Sequence, residues 1–227
     1  MTRTESETLF ERFCSNSRIS FLRVPEIHTK TPDYELDIED QRIIVEVKEV
    51  TLNKEEKGSA RILKKRGYGN VLTTTPGDRV RKKIADSSAQ LKARSQGKYP
   101  CALVLFDGRP LSDHLSPYNI RVAMYGLEQI HIAVPRDPSN SPYATGKSYG
   151  PKRKMTKDHN TSISAIGVLS VTPKTDVIDL NIYHNKFAAI TLGPKLLGKH
   201  RISQFKLEDE VPGKTAQWEE IVVQREP

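Results

Sequence analysis

The feature that most constrains the fold is a β-branched run at residues 43–50 that contains both an acid and a base. The run reads Ile-Ile-Val-Glu-Val-Lys-Glu-Val, a composition typical of a central, buried β-strand. Because side chains alternate across a strand, Glu46 and Lys48 should share one face with Ile44 and Val50. Burial of a charge is costly unless the charge is paired. This face therefore indicates either a salt bridge or a functional site.

A second acidic residue, Asp33, is predicted to lie beside this strand. Residues 33–38 alternate polar and apolar side chains, as a half-buried strand does, and Pro32 fixes the backbone at its start. Only a short polar turn at residues 39–42 separates the two strands, so we expect them to be neighbours. Asp33 and Glu46 can then approach each other across the pair. Two carboxylates and a main-chain carbonyl form an oxygen site suited to Mg²⁺ or Mn²⁺.

The residues Pro32-Asp33, followed by Glu46-Val47-Lys48, resemble the motif of the PD-(D/E)xK nuclease superfamily. This superfamily includes restriction endonucleases, archaeal junction resolvases and many repair nucleases. The resemblance implies that Asp33 and Glu46 bind the metal ion together with the main-chain carbonyl of Val47. It also implies that Lys48 assists the water that attacks phosphorus. The alternative for the three charged residues is a cross-strand salt bridge at a polar strand edge.

Two further site residues follow from the same resemblance, which covers roughly residues 4–107. Superfamily members often carry an acid on the first helix that completes the metal site. Glu7 has the expected spacing from the first strand, and Glu11, one turn later, is its rival. Members also often place a glutamine on the helix after the Glu-x-Lys strand, and Gln90 matches it as a residue that positions water or a backbone phosphate. The alternative for Glu7 and Gln90 is a solvated helix surface.

The resemblance and the hydropathy pattern predict an α/β fold with a restriction-endonuclease-like core. This core has the order αβββαβ, a mixed sheet flanked by helices, and it is followed by a β-rich C-terminal extension. We expect the core over residues 1–134 with a polar, basic insertion at 51–77, a flexible surface loop over 135–162, and an extension over 163–227 that packs on or extends the same domain. The predicted elements are helices over 4–16, 78–95 (opened by Asp78 and closed by Gly97) and 117–127, and strands over 19–24, 33–38, 43–50, 101–106, 130–134, 163–171 and 177–183.

Charge indicates the partner. Lys and Arg number 36 against 28 Asp and Glu, which gives a net charge of +8 and favours a polyanion, with DNA as the expected partner. The basic insertion and the helix after it supply the candidate contacts to nucleic acid, which are Lys64, Lys65, Arg66, Arg79 and Lys83. The run Lys152-Arg153-Lys154 could also reach nucleic acid. A solvated charged face is the alternative for the residues of the insertion and the helix, and a disordered loop is the alternative for Lys152-Arg153-Lys154.

Several classes of protein are disfavoured. No stretch reaches the roughly 18 apolar residues that a bilayer crossing requires, and the N-terminal residues are polar and acidic rather than basic and then apolar. Cys14 and Cys101 lie in apolar patterns, which is typical of reduced, buried thiols. We therefore expect a cytoplasmic protein with no membrane partner.

The expected function is hydrolysis of DNA phosphodiester bonds with Mg²⁺ or Mn²⁺ as cofactor. Cleavage of both strands would need two centres, so a homodimer is also an expectation. Two alternatives stay open: the same chemistry on RNA, or a binding module that uses this fold without catalysis.

Overall fold

An eight-stranded mixed β-sheet organises the protein, with helices against its faces and a separate two-stranded sheet. The computed structural model describes residues 3–25, 31–68, 75–109, 113–172, 175–198, 200, 202–208 and 215–223. In chain order the elements are α1 (Glu5–Asn16), β1 (Ser20–Arg23), β2 (Tyr34–Ile38), β3 (Gln41–Glu49), α2 (Lys54–Arg66), α3 (Asp78–Ser95), β4 (Cys101–Phe106), α4 (Pro117–Tyr125), β5 (Glu128–Ala133), β6 (Tyr143–Tyr149), β7 (Ala165–Thr172), β8 (Val177–His184), α5 (Pro194–Gly198), β9 (Ile202–Leu207) and β10 (Trp218–Glu220).

The strands of the main sheet follow the order β1-β2-β3-β4-β7-β8-β9-β10. The pairs β3–β4, β4–β7 and β8–β9 are parallel, and the other pairs are antiparallel. The predicted α/β class and mixed sheet are therefore confirmed. The strands predicted at 163–171 and 177–183 are confirmed as β7 and β8, and they continue the sheet that β1–β4 begin.

The alternation of side chains along β3 divides the core into two layers. Ile43, Val45 and Val47 pack with α1 and α5 on one face of the sheet. Ile44 packs on the other face, with the apolar residues of α3 and α4. Glu46 and Lys48 have the same parity as Ile44, so α3 covers the face that carries them.

The helix α3 has the predicted span, but different residues cap it. Gly77, not Asp78, is the N-cap, with a positive φ of 75°. Asp78 is the first helical residue and pairs with Arg81. At the other end the helix stops before Gly97, because Gln96 already adopts the left-handed conformation.

Part of the basic insertion is helical, because residues 54–66 form the helix α2. A capping box starts it, in which the Asn53 side chain accepts a bond from the Glu56 N–H and the Glu56 carboxylate accepts one from the Asn53 N–H. Gly67 ends it in the left-handed conformation. Glu56 is the only buried residue of this helix. Without an apolar stripe, the hydropathy pattern gave no helical signal. Residues 69–74 lie outside the described part of the chain.

The prediction of a loop over residues 135–162 is wrong for part of that segment. Residues 143–149 form β6, which pairs with β5 in the two-stranded sheet. The aliphatic content of β6 is low because most of this strand is exposed, and main-chain bonds to β5 hold it in place. The strand predicted at 130–134 is β5, but it does not join the main sheet. Within the described ranges, none of the helices combines the length and hydropathy that a bilayer crossing needs.

Candidate metal centre

The β2–β3 hairpin places Asp33 opposite Glu46. Tyr34 pairs with Val45 in the hairpin register, so the preceding residue, Asp33, faces Glu46 across the two strands. Asp33 Oδ2 accepts a hydrogen bond of 2.7 Å from the main-chain N–H of Val47. In a strand the N–H and C=O of one residue point to the same side. The Val47 carbonyl is therefore directed to the side on which Asp33 lies.

Glu46 is fully buried and its carboxylate is short of hydrogen-bond donors. Its side chain has 0 % exposure, and neither carboxylate oxygen has a hydrogen bond of regular geometry. Its partners are the Lys48 ammonium, which forms an ion pair with Oε1, and the Gln90 side chain. Burial, and then the negative charge of Asp33, raise the pKa of Glu46 to about 7, although Lys48 and Gln90 act in the opposite direction. Two buried carboxylates that resist ionisation together are a site at which a cation would bind favourably.

Asp33 responds to the same surroundings. Burial raises the pKa of its carboxyl above the ordinary value, and the negative charge of Glu7 acts in the same direction. The Val47 N–H, the Lys48 ammonium and a hydrogen bond with the Glu46 side chain oppose this rise. Because Asp33 and Glu46 face each other, the two carboxyl groups titrate as a coupled pair.

Lys48 links the acids to solvent, since its side chain is 32 % exposed. Burial alone would lower the pKa of Lys48, but the bond and the charge of Glu46, together with the charges of Asp33 and Glu7, outweigh burial and raise it. Lys48 is therefore a protonated ammonium at neutral pH. Its position suits orientation of a water molecule or neutralisation of charge on a phosphate.

The helix α3 contributes Gln90 and Lys83 to the same side of the sheet. Gln90 is buried next to the core residue Leu91, and its side chain interacts with the Glu46 carboxylate. Lys83 lies two turns earlier and is half-buried. Burial and the nearby positive charge of Lys48 lower the pKa of Lys83. The helix α3 therefore brings both residues to the side of the sheet that carries Glu46, and the roles predicted for them in positioning and in phosphate contact stay predictions.

Glu7 and its rival Glu11 have different surroundings. The charge of Glu7 acts on both Asp33 and Lys48, so Glu7 lies near the centre. Its Oε2 is engaged by the Thr4 N–H at 3.0 Å and by Arg23 Nη2 at 3.1 Å. Glu11 instead accepts a bond from the Tyr34 hydroxyl and pairs with Arg3.

The donor set fits a divalent cation with few protein ligands. In the described ranges, no three His, Cys, Asp or Glu side chains converge as a metal-binding group, so Glu7 does not complete a three-acid cluster with Asp33 and Glu46. What the hairpin offers is two facing carboxylates and a carbonyl. Mg²⁺ is commonly held in this way, by one or two carboxylates with water and substrate oxygens in the remaining positions. The observation that supports the fit is that the buried Glu46 oxygens lack hydrogen bonds of regular geometry.

The predicted nucleic-acid contacts divide into two groups. Lys64, Lys65 and Arg66 are exposed at the end of α2, as phosphate contacts would be. Arg79 is different, because its Nη2 lies 2.6 Å from Glu56 Oε2. Arg79 therefore holds α2 against α3, and a contact of this residue with phosphate stays a prediction.

Glu56 is a structural hub that the sequence analysis did not recognise. Arg79, Arg109 (at 3.6 Å) and His114 (at 3.4 Å) all surround its carboxylate. Although some burial opposes the change, bonds from the Asn53 N–H and the arginines lower the pKa of Glu56. The Asn-x-x-Glu capping box at residues 53–56 was the signal that could have located this residue.

Comparison with known proteins gives no relative: no family model, no curated protein and no solved structure matches this chain.

Proposed function

We propose that the protein is a metal-dependent nuclease that hydrolyses DNA phosphodiester bonds, with a core of the restriction-endonuclease-like type. The observation that carries the proposal is the pairing of Asp33 with the fully buried Glu46, whose oxygens lack regular hydrogen bonds, beside the charged Lys48. A salt bridge alone would account for Lys48 and Glu46. It would not account for a second carboxylate that faces the first, because two carboxylates repel each other when both are charged.

Asp33, Glu46 and the Val47 carbonyl would hold the ion, which is Mg²⁺ or Mn²⁺ by the chemistry of its oxygen donors. When bound, such an ion supplies positive charge that stabilises the reacting phosphate and makes a nearby water more acidic. The Lys48 ammonium orients that water and offsets the growing negative charge. The Gln90 amide fixes the Glu46 carboxylate.

The reaction is an in-line displacement. The water oxygen attacks phosphorus and loses its proton, and the opposite P–O bond breaks, so that the departing oxygen gains a proton. Lys83, with the exposed cations at the end of α2, holds backbone phosphates on either side of the broken bond. A duplex cut in both strands would take two copies of the chain.

The deciding experiment is a cleavage assay on supercoiled, linear, nicked, branched and single-stranded DNA, and on RNA, with Mg²⁺, Mn²⁺ or chelator. Asp33→Asn and Lys48→Met are each expected to lower cleavage by about 10²-fold or more. Two substitutions serve as matched controls. Asp37→Asn changes an exposed acid of β2, the strand that Asp33 directly precedes, and Lys98→Met changes an exposed lysine before β4. Both controls are expected to cut like the wild type.

The outcomes separate the alternatives. If the wild type binds these substrates but cuts none of them, the protein is a binding module. If RNA is cut and DNA is not, the proposed reaction is correct and the proposed substrate is wrong. If Lys48→Met cuts like the wild type, the role given to Lys48 is wrong.

A further inference from the structure

A second site lies away from the two carboxylates, in a cleft of about 260 Å³ between the segment after β6 and the segment after β8. This volume is slightly below the roughly 300–1,000 Å³ usual for sites of small molecules. It suits a single nucleotide better than a large cofactor. The lining residues are Tyr125, Tyr149, Arg153, Met155, Thr156, Lys157, Asp158, Lys186 and Phe187.

Aromatic and apolar groups form the inner part of the cleft. Met155 and Tyr125 are buried in its floor, with 0 % and 2 % exposure. Tyr149 and Phe187 are half-buried and line the cleft. Every nucleobase has a planar face that stacks on such rings, whatever the base.

Positive charge surrounds the opening. Arg153 and Lys157 are exposed on one wall, and in the part of the chain that the structure describes neither forms an ion pair. The Lys186 ammonium lies on the other wall, 5.5 Å from the centre of the Tyr125 ring and 5.4 Å from that of Phe187. Asp158 is the one acid among the lining residues. An aromatic interior with a cationic rim matches a base that carries a phosphate.

Hydrogen bonds hold both walls in place before any ligand binds. The N–H of Met155 donates to the Met124 carbonyl at 2.8 Å. Opposite, the Tyr125 hydroxyl accepts from the Lys186 N–H at 3.2 Å and donates to the His184 carbonyl at 3.1 Å. Since neither wall must be ordered on binding, the cleft is a preformed site.

The cleft and the carboxylates share one side of the main sheet. Glu46, Leu103, Ile166 and Tyr183 are successive register partners across β3, β4, β7 and β8, and Lys186 follows Tyr183 closely. Three strand spacings and the short step beyond Tyr183 place the cleft roughly 15–20 Å from Glu46. One strand of nucleic acid can span this distance within a few nucleotides.

We propose that this cleft binds one unpaired nucleotide, with its base against Phe187 and Tyr149 and its phosphate on Arg153 and Lys157. This inference rests on the proposed function, because it makes the cleft a second contact of the strand that is cut. The protein would then favour DNA with a single-stranded portion over a blunt duplex. A free nucleotide has the same chemistry, so the experiment includes both sources.

The test measures binding with chelator present, so that cleavage does not interfere. The probes are a single strand of about 12 nucleotides containing 2-aminopurine, a duplex with a single-stranded overhang, a blunt duplex, and free dAMP. Stacking in the cleft is expected to change 2-aminopurine fluorescence. Arg153→Ala with Lys157→Ala, and separately Phe187→Leu, should weaken binding of the single strand and the overhang about tenfold, with little change for the blunt duplex. Phe187→Leu keeps an apolar side chain in the half-buried position, and Arg153 and Lys157 are exposed, so folding should be retained.

The matched control is Lys64→Ala with Lys65→Ala on α2, which should weaken all DNA probes alike. Equal affinity of wild type and cleft variants for every probe, with the 2-aminopurine signal unchanged, would overturn the proposal. Tight binding of dAMP that the single strand does not displace would also overturn it, in favour of a free nucleotide. The two proposals can fail separately. If the cleft variants bind like the wild type, the cleft proposal fails, and the cleavage assay with Lys48→Met still tests the nuclease. If no substrate is cut, the nuclease proposal fails, and the difference in binding between single-stranded and blunt DNA still tests the cleft.

Discussion

Val47 donates its main-chain N–H to Asp33 Oδ2 over 2.7 Å, two residues past the position at which β2 begins to pair with β3. The Asp33 carboxylate thus accepts the hydrogen bond that a main-chain carbonyl of the neighbouring strand would otherwise accept from Val47. This bond holds the carboxylate close to Glu46. This arrangement determines how the centre should respond to pH and to substitution.

Without metal, the protein should become less stable as the pH rises from about 4.5 to about 7. The folded state holds a proton on Glu46 more tightly than the unfolded chain, because the pKa is raised from 4.5 to about 7. Stability from this group is therefore full below pH 4.5 and is lost as the pH passes through 7. Asp33, whose pKa is also raised, adds in the same direction.

Urea unfolding in chelator across this pH range, for wild type and Glu46→Gln, measures the effect. Between pH 4.5 and pH 7, the free energy of unfolding of the wild type should fall by on the order of 2 kcal/mol more than that of Glu46→Gln. The comparison with the variant is necessary because His184, whose pKa burial lowers, gives the opposite slope near its ordinary value of 6.5. Mg²⁺ should raise the melting temperature more at pH 8 than at pH 5. Parallel curves for wild type and variant would contradict this prediction.

Glu7→Gln should weaken metal binding, whereas Glu11→Gln should not. Of these two acids, Glu7 is the one whose charge acts on Asp33 and Lys48, while Glu11 is engaged by Tyr34 and Arg3. Titration with Mn²⁺, measured by calorimetry, gives the affinity of each variant for the metal ion. We expect a decrease of about threefold to tenfold for Glu7→Gln, since loss of a nearby charge is worth about 1 kcal/mol. A larger effect of Glu11→Gln would exchange the two roles.

Gly77→Ala should destabilise the protein by about 2 kcal/mol or more. An added Cβ would lie 2.8 Å from the Ala123 nitrogen and 2.9 Å from the Asn119 oxygen, and the φ of Gly77 is +75°. The change would displace the start of α3 from α4, and with it Lys83 and Gln90. Gly58→Ala is the control: the residue lies inside α2 with nothing within 4 Å, so alanine should be neutral or stabilising by up to about 1 kcal/mol. Thermal unfolding of both variants distinguishes them by sign.

Glu56→Gln should loosen α2 while the metal centre stays intact. The substitution removes the charge that holds Arg79, Arg109 and His114. Faster amide hydrogen exchange should then be confined to residues 54–66. Unchanged Mn²⁺ affinity would show that the carboxylate pair is independent of α2, and exchange that rises equally throughout the chain would contradict a local role.

The sequence was most informative where short-range geometry decides the outcome. The hairpin of β2 and β3, the face shared by Glu46 and Lys48, and the span of α3 all follow from alternation or helical periodicity. The placement of Gln90 near Glu46 came through the resemblance, which no match to a known protein supports. The ion pair between Arg79 and Glu56 was missed because a charge run looks the same whether its members face water or an oppositely charged partner distant in sequence.

The dependence of α2 on Glu56 has a consequence for the analysis of binding data. Added salt releases protein from nucleic acid by restoring counterions to the phosphates. The same salt screens the partly exposed cations around Glu56, so it would also weaken the attachment of the helix that carries Lys64, Lys65 and Arg66. A plot of log affinity against log salt would therefore be steeper than the number of phosphate contacts alone predicts. In Glu56→Gln, where the attachment is already loosened, the slope should lie closer to the number of phosphate contacts.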